Sequence, residues 1–373
     1  MECRYNAILF TLGNLQVQRN TLISESNIEP DTYAQKRSQE FYDALNGRTN
    51  IVAWANSRYR GEYSKELTNI WADKIRSFIN KIDDANISYD FSIQMCGHPN
   101  LVQCKPYFIV VDFMPYQDLS ILDKVPFPDF ARDMNHEHAQ LYKNAKGVIT
   151  FSALSRDSLI KVFDLDPRKV TTICTGCLGH VNESYIKSPE KIILWAGQNF
   201  APKGGYVLLD AFEMLRKEDD SYQLYMVGAD FKVNRTGVVC MPFLHGKDLS
   251  ILDDLYKKAK LFVMPSLKEN LGIVYLEAMA RKTPVVCTTR GGLADIIRKT
   301  RSGEIVIPVD SYSLFCAMHK LINDDKLYES YSRNAFYFST KNTVWDIVIS
   351  RTLDAIGRWM KGQQVLEDYN DYT

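Results

Sequence analysis

Residues 261–292 carry the pattern that most limits which folds this chain can adopt. The apolar run LFVMP ends at Pro265, the loop from Ser266 to Asn270 is polar, an amphipathic segment begins at Gly272, and a second apolar run, TPVVCTT, follows at once. Strand, loop, helix and strand in that order make a βαβ unit of a parallel sheet. Ligands of such sheets bind in the loops at the carboxyl ends of the strands.

The same alternation recurs along the chain. In the second half the spacing predicts strands over Ile192–Ala196, Gln223–Val227 and Leu261–Met264. Between them, Leu208, Ala211, Phe212 and Leu215, and then Leu252, Leu255, Tyr256 and Ala259, fall on helical faces. In the first half it predicts strands over Ala7–Leu12, Tyr107–Val111, Val148–Phe151 and Val170–Cys174. Helices are expected over Lys65–Ile82, around His138–Ala145 and over Leu154–Phe163. The 373 residues are too many for one ordinary core. Two doubly wound α/β domains are therefore expected. The polar stretch His180–Glu190 breaks the pattern and reads as the hinge. Val344, Ile347, Val348, Leu353, Ile356 and Trp359 predict a long amphipathic helix near the end.

Two segments carry the chemistry. Glu277 is the only charge in IVYLEAMA, on a helix otherwise fit for packing between layers. A carboxylate there is costly unless donors satisfy it, and sugar hydroxyls are such donors. Asn270, Leu271 and Gly272 would offer backbone N–H groups at the helix start, a cradle for phosphate. Glu269 lies in the loop before them. In ILWAGQNFAPKGGYVLLDAF, a buried strand ends at Gly197 and a helix opens after Lys203-Gly204-Gly205. A lysine on a glycine-rich turn at a helix N-terminus suits the charge of a diphosphate.

Pro265-Ser266, Glu269, Asn270-Leu271-Gly272, Leu276 to Ala280, Pro284 to Val286 and Gly291-Gly292 form one frame. In it the chain resembles the family 4 retaining glycosyltransferases (glycosyl transferases group 1) of the GT-B type. The resemblance is close over residues 139–310 and, before that, rests on the order of elements. It implies two Rossmann-like domains facing a central cleft. Residues 1–182, joined by 345–373 crossing back through the C-terminal helix, would bind an acceptor; residues 183–344 would bind a nucleotide diphosphate sugar. The implied reaction moves a hexose to a hydroxyl of a glycan, a glycolipid or another glycoconjugate, with retention and with neither metal nor cofactor.

The same resemblance distributes the roles. Lys203 and the backbone near Gly272 would stabilise the departing diphosphate, Glu277 would accept from the ribose, and Glu269 would hold the sugar. Gly204, Leu244, Asn270, Leu271 and Ile273 complete the donor contacts, with Phe243 and His245 beside Leu244 near the base. Gln198 stands where the family has an arginine, which removes a bidentate cation. On the first domain, Gly13 marks the acceptor side. Asp112 stands where the family has a histidine; it takes that polar role or serves as a structural cap, and His98 is the other candidate.

Composition narrows the partners. Lysine plus arginine and aspartate plus glutamate number 45 each, so no net field draws the chain to nucleic acid. A zero total leaves room for a local basic patch, and peripheral contact with a membrane stays among the expectations. No apolar run approaches the ~20 residues that span a bilayer, and MECRYNAILF opens as a strand without signal-peptide architecture. The eight cysteines, Cys240, Cys287 and Cys316 among them, read as small buried hydrophobes of a cytoplasmic protein.

Three metal or redox patterns are discounted. Cys174-Thr175-Gly176-Cys177 has no second pair; Cys96, His98 and Cys104 lack a fourth ligand; Asp164-Leu165-Asp166 precedes Pro167 as a cap would. A nucleotide-sugar epimerase and a phosphorylase share the fold, but no residue set for either is evident. A nucleotide-sugar-binding protein without catalysis remains the alternative of another class.

Overall fold

Two largely parallel sheets organise the chain. The computed structural model describes residues 6–12, 17–18, 40–41, 43–45, 48, 50–57, 88–95, 106–111, 139–177, 187, 189–228, 233–244, 248–267, 269–307 and 309–372. The expected helix Lys65–Ile82 lies outside them, as does most of His180–Glu190. The chain divides into two units, Met1–Cys174 with Trp345–Tyr369, and Thr175–Val344 with Asn370–Thr373.

The first unit holds β1 (Asn6–Leu12), β2 (Val17–Gln18), β3 (Asn50–Ser57), β4 (Phe91–Met95), β5 (Tyr107–Val111), β6 (Gly147–Thr150) and β7 (Val170–Thr172). Their spatial order is β2-β3-β1-β4-β5-β6-β7, parallel except for the short β2 against β3. Alternation along β5 sends Tyr107, Ile109 and Val111 to one face, where they pack with Leu141, Tyr142, Val148, Leu159 and Phe163. The alternate residue Phe108 stacks on Trp359 of the Trp345–Met360 helix, with ring centroids 5.9 Å apart. The Trp359 indole N–H donates to the Arg168 carbonyl at 2.9 Å. A Cβ at Gly147 would lie 2.2 Å from the Trp359 ring, so glycine at the start of β6 lets the indole sit against the sheet. The edge of β7 is covered by chain: Thr172 N–H donates to Glu367 O at 3.0 Å and Tyr369 N–H to Thr172 O at 2.9 Å.

The second unit holds β8 (Ile192–Ala196), β9 (Gln223–Val227), β10 (Val238–Met241), β11 (Leu261–Val263), β12 (Val285–Thr288) and β13 (Gly303–Val306). All are parallel, in the order β10-β9-β8-β11-β12-β13. Every residue of β8, β11 and β12 is buried, as expected of strands covered on both faces. The Gly205–Glu218 helix turns Leu208, Ala211, Phe212 and Leu215 inward and packs on the Ser311–Asn323 helix. The Ile273–Met279 helix packs between Leu249–Lys258 and Asp325–Asn342.

The structure corrects one reading of the cysteines. Cys316 is exposed and Cys240 only partly buried. The Ser311–Asn323 helix buries Leu314, Met318 and Leu321, and a residue two places after Leu314 falls on the opposite side. Cys240 lies on the edge strand β10. Cys174, Cys177 and Cys287 are buried thiols.

Candidate functional site

The strand order of the second unit fixes where a ligand would bind. The chain runs outward from β8 through β9 to β10, then returns to place β11 on the other side of β8. The loops after β8 and β11 therefore leave the sheet side by side at its topological switch point, where open α/β sheets bind ligands.

Hydrogen bonds tie these loops together. Leu267 N–H donates to Pro202 O at 2.9 Å, and the Trp195 indole on β8 donates to Lys203 O at 3.1 Å. Gly204 has φ +72°, and a Cβ there would lie 2.1 Å from Pro265 O. Glycine at this position permits both the left-handed turn and the close approach of the two loops. The turn after β12 supports the second loop from behind. Glu269 N–H donates to Arg290 O at 3.1 Å, Gly292 N–H to Asn270 O at 2.6 Å, and the Thr288 hydroxyl to Ser266 O at 2.6 Å. The Tyr275 hydroxyl donates to Met264 O beneath it.

This scaffold brings Lys203 and Glu269 into contact. Lys203 Nζ lies 2.6 Å from Glu269 Oε2, with side chains 22% and 14% exposed. The other carboxylate oxygen, Oε1, accepts from Asn270 N–H at 3.2 Å. Sequence reasoning assigned the lysine to a diphosphate and the glutamate to a sugar; the structure joins them as one ion pair. The pair is partly exposed and charge-balanced. An incoming anion would compete with Glu269 for the ammonium.

Glu277 is set deeper. It is 2% exposed, and the Tyr256 hydroxyl donates to its Oε2 at 3.0 Å. Its charge also acts on Arg281, whose Nε donates to Asp253 Oδ1 at 2.8 Å. Burial opposes the Arg281 charge, but the Asp253 carboxylate, helped by Glu277, outweighs it and raises the pKa. Tyr256 was legible in the sequence only as one apolar-face residue of a helix. No local signal pointed to its role as a donor for a carboxylate 21 residues on.

The remaining expected site residues are placed as follows. Gln198 is exposed just after β8, Leu271 is buried, Gly272 caps the Ile273–Met279 helix, and Ile273 opens it. Leu244 is buried in the loop after β10, beside an exposed Phe243. Gly13, His98, Asp112 and His245 lie outside the described residues, as do Cys96 and Cys104. Asp166 caps as expected, accepting from Arg168 N–H at 3.0 Å.

Comparison with known proteins fits this geometry. Residues 180–337 match the glycosyl transferases group 1 family. An uncharacterized glycosyltransferase of Methanocaldococcus jannaschii is 27% identical over 242 residues, 58% of this chain and 61% of that protein. The match spans about three-fifths of the length of that protein and of a mannosylfructose-phosphate synthase of Agrobacterium fabrum, and less of other curated relatives. Among solved structures, WaaG, a glycosyltransferase involved in lipopolysaccharide biosynthesis, superposes with a TM-score of 0.66 at 16% identity, covering 94% of this chain and all of that one. Anabaena HepE, solved in complex with UDP and glucose, gives 0.64 at 14% identity, covering 94% and 99%. A helix long and apolar enough to cross a membrane is absent among the described residues. Residues 180–337 thus match the glycosyl transferases group 1 family, and the two parallel-sheet units have the GT-B fold of solved glycosyltransferases such as WaaG.

Proposed function

We propose that the chain transfers a hexose from a nucleoside diphosphate sugar to an acceptor hydroxyl of a glycan or glycolipid, with retention of anomeric configuration and without a metal. The second unit would bind the donor and the first the acceptor. The observation that carries this reading is the Lys203–Glu269 pair at the switch point of the second sheet.

In this reading Lys203 leaves Glu269 for the diphosphate, where a cation opposes the charge that grows as the glycosidic bond breaks. Glu269, released, accepts from the sugar hydroxyls and orients the anomeric carbon. Glu277 accepts from the ribose with its remaining lone pairs while Tyr256 holds Oε2 in place. Gln198, where the family resemblance implies an arginine, makes Lys203 the main cation for the leaving group. Gly13 belongs to the acceptor side, and Asp112 takes the polar role beside the donor sugar. The HepE complex with UDP and glucose supports a uridine donor. Peripheral contact with a membrane would suit a lipid-linked acceptor.

Titration with UDP, GDP and ADP in the presence of EDTA tests the reading, together with turnover of the matching nucleotide sugars. One nucleoside diphosphate should bind without metal, and its sugar should be transferred or slowly hydrolysed with the anomeric centre retained. A strict need for magnesium or manganese in both binding and turnover would overturn it, as would an inverted product.

A further inference from the structure

Lys187 lines a cavity of about 320 Å³ in the second unit, with Pro189, Lys260, Asp325, Tyr328 and Arg333 also on its wall. Lys260 precedes β11, Thr283 precedes β12 and Pro189 precedes β8. The cavity thus sits at the amino ends of the strands, whereas Lys203 and Glu269 sit at their carboxyl ends. It is a separate place, and the proposed transfer reaction has no use for it.

The amine of Lys187 is held in an unusual way. Its Nζ donates to Tyr256 O at 2.8 Å and to the Thr283 hydroxyl at 2.6 Å, and that hydroxyl donates to Tyr256 O at 2.6 Å. Both acceptors are neutral. The charged groups on the cavity wall answer one another: Lys260 lies 3.9 Å from Asp325, and Arg333 lies 4.0 Å from Glu329. The Lys260 ammonium also stands 3.9 Å over the Tyr328 ring. Two neutral acceptors take two hydrogens and leave the third valence of the nitrogen to the cavity. As a neutral amine, Lys187 presents a lone pair there. Burial favours that form, pulling its pKa down to about 6.

We propose that Lys187 is a covalent capture site for a small hydroxyaldehyde, held in this cavity as a reversible imine. The nitrogen lone pair attacks the carbonyl carbon and forms the C–N bond, and a proton passes through water from nitrogen to the carbonyl oxygen. Loss of that oxygen as water then leaves the C=N bond, with no oxidant or reductant consumed. The volume corresponds to roughly ten waters, room for a short polyol chain. Asp325 and Glu329 on the wall supply acceptors for hydroxyls and a counter-charge for a protonated imine; Lys260 and Arg333 supply donors.

Reductive trapping tests this on the whole protein. Glycolaldehyde with cyanoborohydride at pH 7, followed by peptide mass spectrometry, should mark Lys187 at least about tenfold faster than the exposed Lys191 and Lys258. The rate at Lys187 should level off above pH 7. Lys187→Met, checked by its melting curve, should lose the fast adduct and no other. Marking of Lys187 at or below the rate of Lys191 and Lys258 would overturn the proposal, and so would a rate at Lys187 that keeps climbing to pH 9. Activity with a nucleotide sugar does not enter the readout, so failure here is separable from failure of the transfer reaction.

Discussion

Breaking the Lys203–Glu269 pair from each side should give unequal results. In Lys203→Ala, Glu269 loses its cation and keeps the Asn270 N–H, in a place where its side chain is 14% exposed. Removing one partner of a fully buried pair costs about 3–5 kcal/mol, whereas an exposed pair is worth about 0.2–1. The 22% and 14% exposures put this pair between those limits, so we expect Lys203→Ala to cost about 2 kcal/mol. Glu269→Gln keeps shape and an acceptor oxygen for Lys203, and should cost about 1. Chemical denaturation of the wild type, both single variants and the double variant closes a cycle, whose coupling should be about 1–2 kcal/mol. It should persist in ~0.5 M salt, since buried pairs are screened less than exposed ones. Nucleoside diphosphate affinity should move in opposite directions: Lys203→Ala weakens it more than about tenfold, whereas Glu269→Gln frees the ammonium and leaves it equal or tighter. Turnover should fall strongly in both. A coupling below about 0.5 kcal/mol would show that the pair does not hold in solution. Equal loss of diphosphate affinity in both variants would show that Glu269 is a diphosphate-site residue rather than a sugar ligand.

Three further outcomes are expected. Tyr256→Phe removes the donor to Glu277 Oε2, so nucleoside binding should weaken by about 1 kcal/mol with a smaller effect on the maximal rate, measured by calorimetry alongside kinetics. Lys187 has a folded pKa of about 6, below its unfolded value, so the unfolded chain binds the extra proton between about pH 6 and pH 10 and stability rises with pH there. Denaturation at pH 6.5 and 8.5 should show that rise in the wild type and a smaller one in Lys187→Met; equal rises would refute it. Gly147→Ala puts a methyl into the Trp359 ring and should destabilise the first unit by about 2 kcal/mol, whereas the same change at Gly357, with nothing within 4 Å of the new Cβ, should not.

What the sequence showed and what it hid follow the same physics. Tyr107–Val111, Ile192–Ala196 and Gln223–Val227 were legible to the residue, because apolar runs bounded by polar turns have one reading in a βαβ chain. Phe91–Met95 was not: Ser92 and Gln94 are buried in it, and polar letters inside a buried strand break the signal. Gly303–Val306, an edge strand with two partly exposed residues, carries too little apolar pattern to stand out. At the site, residue types were readable and partners were not. Lys203 and Glu269 are 66 positions apart, and no local rule pairs them. Their contact follows from strand order, since it is the return of the chain across β8 that sets the two loops side by side. Tyr256 and Glu277 meet for a similar reason, because the helices that bear them pack on one face of that sheet. Each carboxylate therefore has a donor from the protein before any ligand arrives. In the proposed reaction a ligand would replace one such donor at Glu269 and add to the other at Glu277. That difference is why the two glutamates should respond differently to substitution.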